Sequence, residues 1–189
     1  MKRVKPGSGS GEDFLLRRTW INPVTDIKAI VKEKPFVVMG GVATRLYMPE
    51  RMTLDLDILV QVEDAPLIYK ELEEAGSRRR GELSIPGSQW QLADGTELDI
   101  VESDEIWAKE AIAKPNYSPD GLPIISLPYL VLMKLKSSRS QDLADVSRMM
   151  GAAQEQDLQA VKMVIEQYLP TACEDLASLI VLGKLELGK

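Results

Sequence analysis

Two glycines and, after a thirteen-residue spacer, two aspartates constrain this chain more than any other feature: Gly40-Gly41 and Asp55-Leu56-Asp57, in the stretch VVMGGVATRLYMPERMTLDLDILV. Phe36 to Met39 is an apolar run between Pro35 and Gly40, the pattern of a short buried strand. The glycines permit a tight turn, and Val42 to Met48 has the composition of a short helix. The first N–H groups of such a helix, together with its dipole, favour negative charge and suit a phosphate. Leu54 to Val60 reads as the next strand, with Leu54, Leu56 and Ile58 on one face and Asp55 and Asp57 on the other. Carboxylates at i and i+2 have Cα atoms ~6.7 Å apart along a strand. They repel each other in a partly desolvated setting. A divalent cation relieves that repulsion, and Mg²⁺ takes carboxylate oxygens and is completed by substrate phosphates and water. Taken separately, a D-x-D is common on solvated edge strands and a G-G is only a turn. Here the acids sit in an otherwise apolar strand and the glycines lie between a strand and a helix, which is the context for phosphoryl or nucleotidyl transfer.

Composition removes the competing chemistries. The chain has no histidine among 189 residues, so Ser-His-Asp and Cys-His catalysis, a His-ligated zinc site and an imidazole base are excluded. The single cysteine, Cys173, forms neither an intrachain disulfide nor a multi-cysteine zinc site and reads as a small core residue. Catalysis is left to carboxylates, Lys, Arg, Tyr or a metal. A net charge of −6 argues against a broad nucleic-acid surface. Arg17-Arg18 and Arg78-Arg79-Arg80 read as solvated loop arginines. No apolar run approaches membrane-spanning length, and the basic, Gly/Ser-rich start has no apolar h-region; a cytoplasmic protein is expected.

Around the motif, helices are expected over Pro23 to Lys34, Pro66 to Ala75 (capped by Asp64 and ended by Gly76) and Asp104 to Lys114. Strands are expected over Arg80 to Ile85, Gln89 to Ala93 and Thr96 to Val101, with Asp94-Gly95 turning the last two, and an edge strand over Leu122 to Ser126. From Leu127 the pattern is helical, broken at Pro170. The fold class is therefore α+β: a mixed β-sheet flanked by helices, then a helical C-terminal region. Residues 1–12 form a tail, 13–126 the α/β core and 127–189 the helical region packed on it.

The pattern apolar-Gly-Gly, spacer, Asp-apolar-Asp resembles the signature of the nucleotidyltransferase superfamily that includes DNA polymerase beta. More narrowly, Gly40-Gly41-Val42-Ala43 with Arg51-x-Thr53-x-Asp55-Leu56-Asp57 is similar to the small prokaryotic minimal nucleotidyltransferases and the AbiE-type toxins. The stretch from Lys134 to Asp145 looks like the Lys…Arg…Asp…Asp helix motif of the latter, though more compressed. The resemblance implies a nucleoside triphosphate as substrate, with its phosphates held by Gly40, Gly41, Arg51, Thr53 and Lys134. It implies one or two Mg²⁺ (or Mn²⁺) ions on Asp55 and Asp57, and a third carboxylate on a neighbouring strand, for which Asp99 is the candidate. Asp99 would also accept the proton of the attacking hydroxyl. Asp142 and Asp145 read as helix-dipole carboxylates. The acceptor stays open among a protein side chain, an RNA end and a small hydroxyl compound such as an antibiotic, and the toxin likeness implies a cognate antitoxin. The alternative is a nucleotide-binding or partner-binding module on the same fold without turnover.

Overall fold

Which strands are apolar on both sides, and which on one, sets the order of the sheet. The computed structural model describes residues 26–48, 55–118 and 121–188. Within them, β1 (Val37–Met39), β2 (Leu56–Gln61), β3 (Arg78–Glu82), β4 (Gly87–Gln91), β5 (Glu97–Ser103), β6 (Asn116–Tyr117) and β7 (Pro123–Ile124) form one mixed sheet. Its order is β3-β4-β5-β2-β1-β7-β6. Leu56, Ile58, Leu59 and Val60 have no exposed surface, as suits the fourth of seven strands. Each such side chain contributes about 1.5–3 kcal/mol by leaving water. β2 runs antiparallel to β1 and parallel to β5. At the rim, β3 reads Arg78-Arg79-Arg80-Gly81-Glu82 and is largely exposed, a charged edge of the kind that discourages pairing with other chains.

Leu56, Ile58, Leu98, Ile100 and Trp90 share one face, since residues opposite each other in a ladder point to the same side. Helix α3 (Ala65–Glu74) buries Ile68 and Leu72. Its Tyr69 ring lies 5.3 Å from Trp90 and its hydroxyl donates to Glu102, fixing the helix to this face. Burial and the Glu102 hydrogen bond push the Tyr69 phenol up to about 12.

Several boundaries differ from expectation for physical reasons. The first described helix, α1 (Ile27–Ile30), stops at an extended Val31. The N–H groups of Lys32 and Glu33 leave the helical pattern to donate to Glu71 Oε1, at 3.0 and 3.2 Å. Helix α2 (Gly40–Tyr47) begins on the glycines themselves. Asp64 does not cap α3 with its side chain; its carboxylate instead pairs with Lys34 Nζ at 2.7 Å. β7 is no edge strand: it pairs with β1 on one side and β6 on the other. Helix α4 (Ile106–Ala113) packs against β2.

The chain divides into two compact units. Among the described residues, 26–43 and 55–125 belong to the sheet unit, while 44–48 and 126–188 belong to a helical unit. The latter holds α5 (Leu127–Ser137), α6 (Ser140–Ala152), α7 (Glu155–Tyr168), a 3₁₀ turn (Pro170–Ala172) and α8 (Cys173–Glu186). Leu158, Val161 and Ile165 of α7 are buried on one stripe, and Leu176 and Ile180 on another in α8. Cys173 is only half-buried. α6 and α8 cross backbone to backbone: a Cβ on Gly183 would stand 1.9 Å from the Ser147 carbonyl oxygen, and one on Gly151 2.3 Å from Gly183. Neither partner is a movable side chain. Gly183→Ala is therefore expected to lower stability by about 1–3 kcal/mol, the cost of overpacking, in a thermal melt. An unchanged melt would show that the helices can separate freely.

Candidate active site

Both acids of the D-x-D and the predicted third carboxylate lie in the sheet unit. β2 and β5 run side by side in a register that sets Asp57 opposite Asp99. Paired residues in adjacent strands, ~4.8 Å apart, project to the same side. Asp55 precedes Asp57 by two residues and Glu97 precedes Asp99 by two, so the alternation carries them to that face as well. It is the face opposite the apolar packing of Trp90 and Ile58. β4 adds Gln89, opposite Asp99, and its Nε2 donates to Asp99 Oδ1 at 3.3 Å. Gln89 was missed in the sequence. Its signal was available in the alternation of β4, where Ser88 and Trp90 point inward and Gln89 outward.

The glycine turn meets the same row of acids. Gly40 has φ +64°, a left-handed conformation that disfavours a side chain, and a Cβ built there would stand 2.0 Å from Asp57 Oδ2. The glycine is thus demanded by a carboxylate before any phosphate is considered. Asp57 sits at the amino end of helix α2, where the helix dipole favours an anion. Gly41 is the second residue of that helix. Arg51 and Thr53, expected to touch the triphosphate, lie outside the described residues.

Charge on this face is concentrated. Burial raises the Asp99 carboxyl above its ordinary value; the Gln89 hydrogen bond opposes this, and the negative charges of Asp55 and Glu97 raise it further. A bound cation reverses the last effect. Among the described residues no three carboxylates, cysteines or histidines converge into a ready-made metal cage. The donors are nonetheless hard carboxylate oxygens crowded on one face. That fits Mg²⁺, which is held by one or two carboxylates plus phosphates and water rather than by an all-protein cage.

Lys134 has other partners than the triphosphate expected of it. It is 3% exposed, and its Nζ donates to Asp142 Oδ1 and Asp145 Oδ2, both at 2.8 Å. Ser138 ends α5 in the left-handed conformation (φ +52°), and α6 then returns with both aspartates toward the lysine. Ser137 Oγ and Arg139 Nε donate to Asp142 Oδ2 at 2.5 and 2.7 Å. Asp142 does lie in the first turn of α6, and both aspartates also belong to this buried ion cluster. Tyr129 is buried, while Tyr117 on β6 is exposed.

No family model matches this chain, and no curated protein matches it in sequence. Solved structures do. A solution structure of the antibiotic-resistance factor ANT(2'')-Ia is 16% identical over 95% of each chain, with a TM-score of 0.46. A crystal structure of ANT(2'')-Ia in complex with adenylyl-2''-tobramycin is 16% identical over 78% of this chain and 88% of that one, with a TM-score of 0.43. The Thermotoga maritima CCA-adding enzyme complexed with tRNA is 15% identical over 89% of this chain and 49% of that one, with a TM-score of 0.44. The chemistry of the site is read from its side chains. No helix among the described residues is long and apolar enough to cross a membrane.

The ion cluster generates a pH prediction. Burial alone would raise the Asp142 carboxyl, but hydrogen bonds from Lys134, Ser137 and Arg139 outweigh it and hold the group below its ordinary value. A depressed carboxyl contributes stability that is complete above its unfolded pKa, roughly 4, and is lost as pH falls through the lower folded value. Asp142→Asn should cost about 2 kcal/mol at pH 7, the range for hydrogen bonds to charged groups. The gap to wild type should close below about pH 4. Denaturant melts at both pH values test this, and a pH-independent gap contradicts it.

Proposed function

We propose that this chain is a divalent-metal-dependent nucleotidyltransferase that moves a nucleoside monophosphate from a nucleoside triphosphate to a hydroxyl acceptor. The observation that carries the reading is the placement of Asp57: opposite Asp99 in the central ladder and packed on the backbone of Gly40. An apolar sheet has little structural use for a row of carboxylates on one face, where the negative charges of Asp55 and Glu97 already raise the Asp99 carboxyl, an effect that a shared cation reverses. Asp55, Asp57 and Asp99 would hold Mg²⁺ (or Mn²⁺). When bound, the ion supplies charge neutralisation on the triphosphate and orients it for in-line displacement. In the transfer itself, the acceptor oxygen attacks the α-phosphorus, the bond from that phosphorus to the oxygen bridging to the β-phosphate breaks, and pyrophosphate leaves. Asp99 is the oxygen base on this face placed to take the hydroxyl proton, in a chain with no imidazole.

The amino end of α2, with Gly40 and Gly41, supports triphosphate binding through backbone donors and dipole. Arg51 and Thr53 belong to the same proposal by their place in the motif. The geometry of Lys134 argues for a structural role instead. The acceptor classes remain a protein side chain, an RNA end or a small hydroxyl compound; ANT(2'')-Ia, bound to adenylyl-2''-tobramycin in its crystal structure, illustrates the last. A toxin role with a cognate antitoxin rests on the motif resemblance alone, as does a prokaryotic setting. A second reading, a nucleotide-binding module without turnover, is favoured by the lack of a three-carboxylate cluster among the described residues.

Asp57→Asn separates these readings. The amide keeps the shape that fits against Gly40 and removes one of the crowded anions, so stability should hold or rise slightly. Mg²⁺-dependent thermal stabilisation by the preferred nucleoside triphosphate should disappear, and transfer of label from the α-phosphate should fall by at least 100-fold, on the scale of several kcal/mol of metal stabilisation. Label transfer at the wild-type rate by the Asn variant overturns the assignment. Metal-dependent stabilisation of the wild type without label transfer to any acceptor selects the module.

A further inference from the structure

The arginine run absorbed no function in the sequence, where it read as solvated loop. The structure places it on an edge strand of the sheet that bears the acids. Arg78 lies opposite Gln91, Gln91 opposite Glu97, and Gln89 opposite Asp99. Those pairings carry the Arg78 side chain to the acid face. The register then slips between Arg79 and Gly81, leaving Arg80 as the extra residue of a bulge. A bulge re-aims a side chain, and Arg80 donates through Nη2 to Gln91 Oε1, on the same face. Arg79 goes the other way: it lies 5.0 Å over the Tyr69 ring and pairs with Glu82 at 2.8 Å.

We propose that Arg78 and Arg80 form an anion-binding flank that positions a phosphate-bearing acceptor on the acid face. The inference rests on the transfer reading and narrows its acceptor class. Charge complementarity supports it: once cations sit on the aspartates, the guanidinium pair sets the sign of the face at this edge, and guanidinium groups match phosphate oxygens in a fork. Spacing supports it too. β3 is two strands from β5 and three from β2, which is about 10 and 14 Å. A stacked single strand carries one phosphate per ~3.4 Å. An acceptor whose hydroxyl lies over Asp57 and Asp99 therefore reaches β3 with the phosphates three or four steps back. A polycationic acceptor finds two like charges there.

The test is direct binding of a fluorescent decaribonucleotide to the full chain, without nucleotide, across a salt series. The double variant Arg78→Gln/Arg80→Gln should bind roughly ten-fold more weakly. The slope of log affinity against log salt should shrink by about 1.4, the single-strand value for two lost phosphate contacts. Arg79→Gln, which faces away, should change neither. Circular dichroism checks that the variants are folded, and Arg78→Lys/Arg80→Lys, which keeps the charge, should restore the salt slope if the glutamine pair is not folded. Competition by a 5′-mononucleotide at equal phosphate concentration tells a small phosphorylated acceptor from a polynucleotide; either keeps the flank. Equal affinity and slope for wild type and double variant, or an equal loss in Arg79→Gln, overturns it. Because no triphosphate is present, loss of the flank and loss of the transfer reading are separate results.

Discussion

Two like charges facing each other in the middle of a sheet organise this molecule. Asp57 and Asp99 are neighbours because β2 and β5 are parallel and in register, and that register is fixed by the other face. Leu56 against Leu98 and Ile58 against Ile100, all fully buried, disfavour a one-residue slip of either strand. A slip of one residue would bury the acids and expose the leucines. Hydrophobic burial on one face thus sets which carboxylates stand side by side on the other. Gly40 completes the arrangement: its missing side chain is the room that Asp57 occupies. The helix that starts there turns its positive end toward the anion.

Much of this was legible in the sequence because period two is unambiguous when one face is strongly apolar. The alternation in Leu54 to Val60 and in Thr96 to Val101 separated carboxylates from core, and the glycines marked a strand-to-helix turn. The expected strands at β1, β2, β4 and β5 stand within a few residues of their positions. What alternation does not encode is which strands are neighbours. That Asp57 faces Asp99, and that Gln89 comes third in the row, depends on sheet order. The bulge in β3 is equally hidden, since one unpaired residue leaves no compositional trace.

The helical unit shows what local reading does not supply. A lysine and two aspartates spaced eight and eleven residues apart suggested a ligand-facing cation and two dipole carboxylates. The left-handed Ser138 folds α6 back, and the three become one buried cluster. Burying three ionisable groups is unfavourable unless each is satisfied by the others, and here Ser137 and Arg139 supply the remaining donors to Asp142. The same residues that fit a catalytic motif by spacing are thereby occupied with each other. In the same unit, Gly151 and Gly183 carry no signal of their own in sequence, yet their absent side chains permit the α6–α8 crossing.

The central claim is that Asp57, Asp99 and the Gly40 turn form one metal–nucleotide site. Amide NMR of the isotope-labelled chain, titrated with substoichiometric Mn²⁺ in the presence and absence of nucleoside triphosphate, tests it most directly. Paramagnetic broadening should centre on the amides of Gly40, Gly41, Asp57 and Asp99 and sharpen in selectivity when nucleotide is added. Broadening spread over the acidic surface without regard to nucleotide, or centred away from Asp57, would contradict the account.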